Sequence, residues 1–237
     1  MKKIISNSTS KIVVNTCGGY IDVFEVANTP IFFPKLMVKI GDELKVRGGM
    51  HVCAPNFGVD KIYNNLAKHG FARDRNWTIA ESSENFIKLS LKGEEEYENL
   101  LFFLEYELID KKLLANLKIL NQSDDEKIVA PGFHPYFCSD HKPVYVNTAD
   151  INNEDLADSI FSKAIYQEFT ANDNHIMVKG LENVNEFVFW TDFKGDYICV
   201  EPTYNSIAFS DDSRQTYTID IGEEFNFKIE IDVLDNW

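Results

Sequence analysis

LLFFLEYELIDKKLLANLKILNQ, residues 100–122, is the stretch on which the fold turns. Leu and Lys at 111–118 would suit a helix. The competing reading is two strands, FFLEYELI and LANLKIL, flanking a polar turn at Asp110-Lys111-Lys112. Apolar residues at every second position put one face of a strand on a core, whereas a helix needs them three or four apart. The alternation and the turn residues together predict a β-hairpin.

The same two-residue period extends outward in both directions. KIVVN (11–15), YIDVFEVAN (20–28) and KLMVKIGDELKVRGG (35–49, bent at Gly41-Asp42) are expected to be strands. WTIAESSENFIKLSLKG (77–93) is expected to be a hairpin turning near Ser82-Ser83-Glu84. KPVYVNTADI (142–151), HIMVKGL (175–181), EFVFWTDF (186–193) and DYICVEPT (196–203) continue the strand pattern. TYTIDIGEEFNFKIEIDVLD (216–235) is predicted to close the chain as a hairpin around Gly222-Glu223-Glu224. Helix is expected only at 59–68, as one short turn, and at 154–164. Many strands joined by short polar turns imply one all-β domain over residues 1–237, an antiparallel sandwich or barrel.

Of the 237 residues, 44% are hydrophobic and 26% charged, a globular composition rather than a disordered one. Thirty-eight acids against 23 bases give a net charge of −15, and no basic patch interrupts it. Nucleic acid is therefore not an expected partner, because phosphate-backbone binding rests on clustered Lys and Arg. Cys17, Cys53, Cys138 and Cys199 lie far apart without a CxxC pair, which reads as reduced thiols rather than a disulfide framework. MKKIISNSTSKIVVN lacks the continuous apolar segment of a signal peptide, and no run approaches the ~18 apolar residues of a membrane span. A cytoplasmic protein with no membrane partner is expected.

Candidate chemistry sits in four places. His69 lies in KHGFARDRNW and His134 in APGFHPYF, among aromatic residues; either could be purely structural. Glu201 ends the apolar run of DYICVEPT, where a solvent-facing glutamate is the commoner outcome. Arg47 precedes Gly48-Gly49, a pair that would let backbone approach a ligand closely or simply make a tight turn. His51-x-Cys53 has metal-ligand types two apart, but the His pair, Glu and later His of a cupin are missing, so no metal is expected.

Taken in order, RGGMHVCAPNFG (47–58), HGFARDRNW (69–77), GFHPYF (132–137) and ICVEP (198–202) resemble the aldose 1-epimerase, or galactose mutarotase-like, superfamily, and most closely its hexose-6-phosphate mutarotase branch. The resemblance runs from about residue 18 to the C-terminus. It implies an antiparallel β-supersandwich with a sugar cleft on its concave face. It also implies interconversion of α and β anomers by ring opening, with no metal or organic cofactor. One group takes the proton of the anomeric hydroxyl while another, across the sugar, protonates the ring oxygen. The resemblance assigns Glu201 as base, His134 as acid and His69 as a second cleft histidine. It makes Arg47 and Arg73, with Arg75 nearby, holders of a phosphate, a task suited to the planar guanidinium fork. Tyr136, Phe57, Phe71 and Trp77 are candidate sugar walls. The chain departs from that branch at Pro135, where threonine is common, and at Thr191-Asp192, where Asn-Pro is common. The family's substrate-binding aspartate has only Asp155 and Asp158 as candidates. A sugar or sugar phosphate is the expected partner, in a monomer or weak homodimer; a non-catalytic carbohydrate binder is the alternative.

Overall fold

The computed structural model describes residues 1–142, 144–145 and 153–235. Its strands pair almost entirely antiparallel, and its helical segments are short 3₁₀ turns with no α-helix among the described residues. None is long and apolar enough to cross a membrane.

The 100–122 stretch is the predicted hairpin. Leu100–Ile109 pairs with Lys112–Asn121 in unbroken register, from Leu100↔Asn121 to Ile109↔Lys112. Phe102, Leu104, Tyr106 and Leu108 point inward from the first strand, and Leu113, Ala115, Leu117 and Ile119 from the second, all buried. A helix would have scattered these side chains over more than one face, so the period of two decides the outcome. The hairpin lies within an eight-stranded sheet whose order runs Val144–Tyr145, Tyr166–Ala171, Asn174–Glu182, Glu224–Leu234, Lys112–Asn121, Leu100–Ile109, Phe86–Lys92, Thr78–Ser82.

The facing sheet has nine strands. Its path runs Lys2–Ser6, Ser10–Asn15, Tyr20–Val26, Met50–Cys53, Gly132–Cys138, Tyr197–Thr203, Glu186–Trp190, Ile160–Ser162, with Thr29–Pro30 beside Tyr20–Val26. The core fills the space between the two sheets, with Phe133 against Phe227 and Phe137 against Phe169 at ring separations of 5.6 and 5.1 Å. This is the antiparallel supersandwich expected from the sequence.

Four local expectations need correction or limits. The 59–68 segment forms no helical turn: the Asp60 carboxylate accepts the backbone N–H groups of Ile62, Tyr63, Asn65 and Leu66, replacing the carbonyls a helix would have offered. Residues 154–164 give a 3₁₀ turn, Asn153–Asp158, and then the strand Ile160–Ser162. The closing segment turns at Gly222, but its limbs do not pair. Tyr217–Ile219 joins Lys127–Val129, while Glu224–Leu234 runs between Lys112–Asn121 and Asn174–Glu182, where Phe225, Phe227, Ile229 and Ile231 are buried. Most of the strand predicted at 142–151 lies outside the described residues.

Residues 35–49 make a separate hairpin, Leu36–Ile40 with Glu43–Arg47, whose second strand brings Lys45 and Arg47 to the rim of a cleft.

Candidate active site

Three adjacent strands of the nine-stranded sheet build the floor of that cleft. On Met50–Cys53, Gly132–Cys138 and Tyr197–Thr203, alternate residues Met50, Val52, Phe133, Phe137, Ile198 and Val200 enter the core. The intervening positions therefore face the other way: His51 and Cys53, His134 and Tyr136, Cys199 and Glu201. The register pairs His134 with His51 on one side, and Gly132↔Thr203 with Tyr136↔Cys199 sets Glu201 opposite His134 on the other. His51, His134 and Glu201 thus form one row across three strands.

The cleft above this floor has a volume of about 470 Å³. Arg47, His69, Arg73, His134 and Glu201 all line it, so the five residues singled out in the sequence converge on one place. His69 and Arg73 come from the connection after Met50–Cys53; the backbone N–H of His69 donates to the Phe57 carbonyl, which draws that connection over the floor. Phe57 and Tyr136 are walls, as expected. Phe71 and Trp77 belong to the core instead, the Trp77 indole donating to the Ala72 carbonyl. Asp155 and Asp158 are exposed on the 3₁₀ turn and take no part in the cleft lining. Gly48 and Gly49 serve backbone packing rather than a ligand: both have positive φ, and a Cβ there would meet the Pro34 and Ile21 carbonyl oxygens at 2.2 and 2.3 Å.

His134 Nε2 stands 3.5 Å from Glu201 Oε1. The two groups are side by side on one sheet, not facing each other across the cleft as the resemblance implied. Both are nearly sealed, at 5% and 2% exposure. Burial pushes the Glu201 carboxyl well above the usual carboxylate range, against a small opposing effect of Lys68. Burial pulls the His134 imidazole well below the usual range, helped by His69 and the Arg73 cation. Both therefore favour their neutral forms, and one proton serves the pair.

Around them is an aromatic stack: Tyr20, His51, His134 and Tyr136 succeed one another at centroid separations of 4.9, 4.8 and 4.7 Å. His69 meets His134 edge-on at 5.2 Å, and its Nδ1 lies 3.4 Å from Cys53 Sγ. The arginines divide sharply. Arg47 gives Nε and Nη2 to Asp192 Oδ2, both at 2.9 Å, and Nη1 to the Val46 carbonyl. Arg75 is forked onto Glu94 away from the cleft. Among the described residues, the Arg73 guanidinium makes polar contact only with His51 Nε2, at 3.2 Å, and with Asp74, distantly at 3.8 Å.

His134, Cys199 and Glu201 bring ligand-type atoms within 4.8 Å of one another. Cys53 does not join that group, so the His51-x-Cys53 pattern makes no metal-ligand cluster among the described residues. Tyr20, Lys68 and Trp190 also line the cleft and were not singled out in the sequence. Only Lys68, which immediately precedes His69, carried a signal there.

The sequence model of the aldose 1-epimerase family matches residues 31–158, more than half of the chain. The chain belongs to the aldose 1-epimerase family. No curated protein sequence matches it. Among solved structures, the Slr1438 protein of Synechocystis sp. PCC 6803 superposes with a TM-score of 0.83 at 19% identity, covering 100% of this chain and 96% of its own. A galactose mutarotase related enzyme from Lactobacillus acidophilus gives 0.78 at 18% identity, with 99% and 98% covered. A galactose mutarotase-like protein from Lactobacillus casei ATCC 334 gives 0.79 at 16%, with 99% and 100% covered. At such identities these likenesses establish the fold. Membership of the aldose 1-epimerase family supports an epimerase acting on a sugar.

Proposed function

We propose that the protein is a mutarotase of hexose 6-phosphates, with Glu201 and His134 as its acid–base pair. The observation that carries this reading is the 3.5 Å separation of His134 Nε2 and Glu201 Oε1 on the cleft floor. In a pyranose the anomeric hydroxyl and the ring oxygen are bonded to the same carbon, so an acid and a base that are neighbours reach both from one side. Ring opening moves the O1 proton to the Glu201 carboxylate as His134 delivers a proton to O5, breaking the C1–O5 bond and leaving an aldehyde. The pair ends with a neutral carboxylic acid and a neutral imidazole. Rotation about C1–C2 and the reverse transfers close the ring on the other face. The proton count of the pair never changes, and the neutral state favoured by burial is the one that ring opening produces.

Charge supports the phosphorylated substrate. In a chain of net charge −15, the cleft lining holds Lys45, Arg47, Lys68 and Arg73 against one acid, Glu201. A local positive patch of that kind concentrates anions. Because Asp192 occupies the fork of Arg47, Arg73 is the guanidinium with donors free for phosphate.

Polarimetry of freshly dissolved α-glucose, α-galactose and α-glucose 6-phosphate, with and without protein, tests the reading. Accelerated decay of rotation, with the lowest KM for the phosphorylated sugar, is the expected result. Sugar binding without acceleration would leave a carbohydrate-binding module on the same scaffold.

A further inference from the structure

We propose that His51 is a positioning residue for the phosphate site: through Nε2 it holds Nη1 of Arg73 and thereby sets the free donors of that guanidinium on the cleft. The inference rests on the sugar-phosphate reading above.

The plane of the His51 imidazole is fixed by its neighbours. His51 is 1% exposed, clamped between the Tyr20 and His134 rings at 4.9 and 4.8 Å, with the His69 ring meeting it at 83° and 5.9 Å. A guanidinium can only donate, so the 3.2 Å contact with Arg73 Nη1 requires the lone pair of His51 on Nε2 and its proton on Nδ1. Nδ1 is buried and has no hydrogen-bond partner among the described residues. Burying an unpaired N–H is unfavourable, and an apolar ring would stack between Tyr20 and His134 without that cost. The gain that justifies an imidazole here is the acceptor it presents to Arg73.

Arg73 needs such an acceptor. Its side chain is 27% exposed, and its nearest carboxylate, Asp74, is at 3.8 Å. A long arginine left to sample many rotamers must be ordered when the ligand arrives, which weakens binding. One hydrogen bond from Nη1 to a rigid imidazole fixes the fork beforehand and leaves the other N–H groups for the phosphate.

His51 also stacks on His134, so two variants are needed to separate the roles. His51→Phe keeps a ring in the stack and removes the acceptor. His51→Gln places an amide oxygen close to the former Nε2 and removes the ring. The readout is the ratio of KM for glucose 6-phosphate to KM for glucose, followed by polarimetry. The expected result is an increase of about tenfold in this ratio for His51→Phe and less than about threefold for His51→Gln, a loss of the size of one hydrogen bond. A ratio unchanged in His51→Phe, or raised equally in both variants, overturns the assignment. A wild-type protein that turns over glucose but shows no preference for the phosphate overturns it too.

A second measurement stands apart from turnover and leaves His51 itself unaltered. The ¹⁵N spectrum of the wild-type imidazoles should show His51 as the Nδ1–H tautomer, with an Nε2 resonance that moves in Arg73→Lys. A protonated Nε2, or one indifferent to Arg73, rejects the positioning role. If the wild type turns over no sugar, the mutarotase reading fails by itself and this spectrum decides His51.

Discussion

Arg47 donates from both Nε and Nη2 to a single oxygen of Asp192, Oδ2, while the hydroxyl of Tyr197 donates to the other, Oδ1. Arg47 and Asp192 are 145 residues apart in sequence, and neither side chain is more than 17% exposed. Asp192 belongs to Thr191-Asp192, the pair at which the chain departs from the Asn-Pro that the resemblance led one to expect. It turns a candidate phosphate ligand into half of an ion pair.

Asp192→Asn should therefore act in two directions. Removing the carboxylate leaves a half-buried guanidinium short of its partner, and stability should fall by about 1–3 kcal/mol in urea titrations. The same change frees the fork of Arg47 and removes a negative charge beside the cleft, so KM for glucose 6-phosphate should fall relative to that for glucose. A KM that stays put would show that Asp192 does not compete with the substrate for Arg47.

Glu201→Gln should lower kcat by about 10²–10⁴, the usual scale for a positioned acid or base, and His134→Asn should do the same. The folded state should survive. Burial disfavours the charged form of Glu201, so the isosteric amide should melt at or above the wild-type temperature. Full mutarotation by a folded Glu201→Gln protein would remove it from the reaction. The wild-type pH–rate profile should be bell-shaped, each limb belonging to the coupled pair.

Strand alternation made most of the fold legible in the sequence, whereas the five candidate cleft residues were legible only through the resemblance of their motifs to the aldose 1-epimerase family. The 100–122 hairpin follows from a period of two and the strand over 196–203 was legible as an apolar run, whereas the floor strands Met50–Cys53 and Gly132–Cys138, buried on both faces, carry no such period and were not legible as strands. What escaped the sequence depended on partners that strand alternation does not specify. Asp60 suppresses a helical turn through bonds to its own loop, and Glu224–Leu234 exchanges its expected hairpin partner for the centre of a sheet. His51 could be read only as half of a metal pattern until the register set it beside His134 and under Arg73. The split between Arg47, Arg73 and Arg75 required knowing which acids they meet.

Gly70→Ala should be severe. Gly70 has φ +68°, and a Cβ there would lie 1.9 Å from the Ala54 carbonyl oxygen, a backbone atom that cannot swing aside. His69 precedes it, itself at φ 73°. Relief of the clash must move the connection that carries His69 and Arg73. Stability should fall by about 3 kcal/mol or more, with loss of activity in whatever fraction remains folded. A fully active and equally stable variant would mean that the turn relaxes without displacing His69.

The three cleft histidines make stability depend on pH in a calculable sense. Burial depresses His51, His69 and His134 well below the usual imidazole range, with cationic Arg73 adding to each. In the unfolded chain each takes up its proton near pH ~6.5, while the folded protein refuses it. As pH falls from ~6.5 toward the depressed folded values, the unfolded state gains up to three protons that the folded state lacks. Glu201 works the other way above its unfolded pKa of ~4.3, because its raised folded value keeps a proton that the unfolded chain has given up. Three protons against one leave a net difference of two. Each is worth up to about 1.4 kcal/mol per pH unit, so acidification from pH ~6.5 to ~5 should cost up to about 3 kcal/mol per unit. Replacing His69 by Asn should remove one proton from the difference and roughly halve the slope. Urea titrations at half-unit pH steps measure it directly. A stability that is flat over that window, or that rises on acidification, would show that at least two of these imidazoles carry charge in the folded cleft.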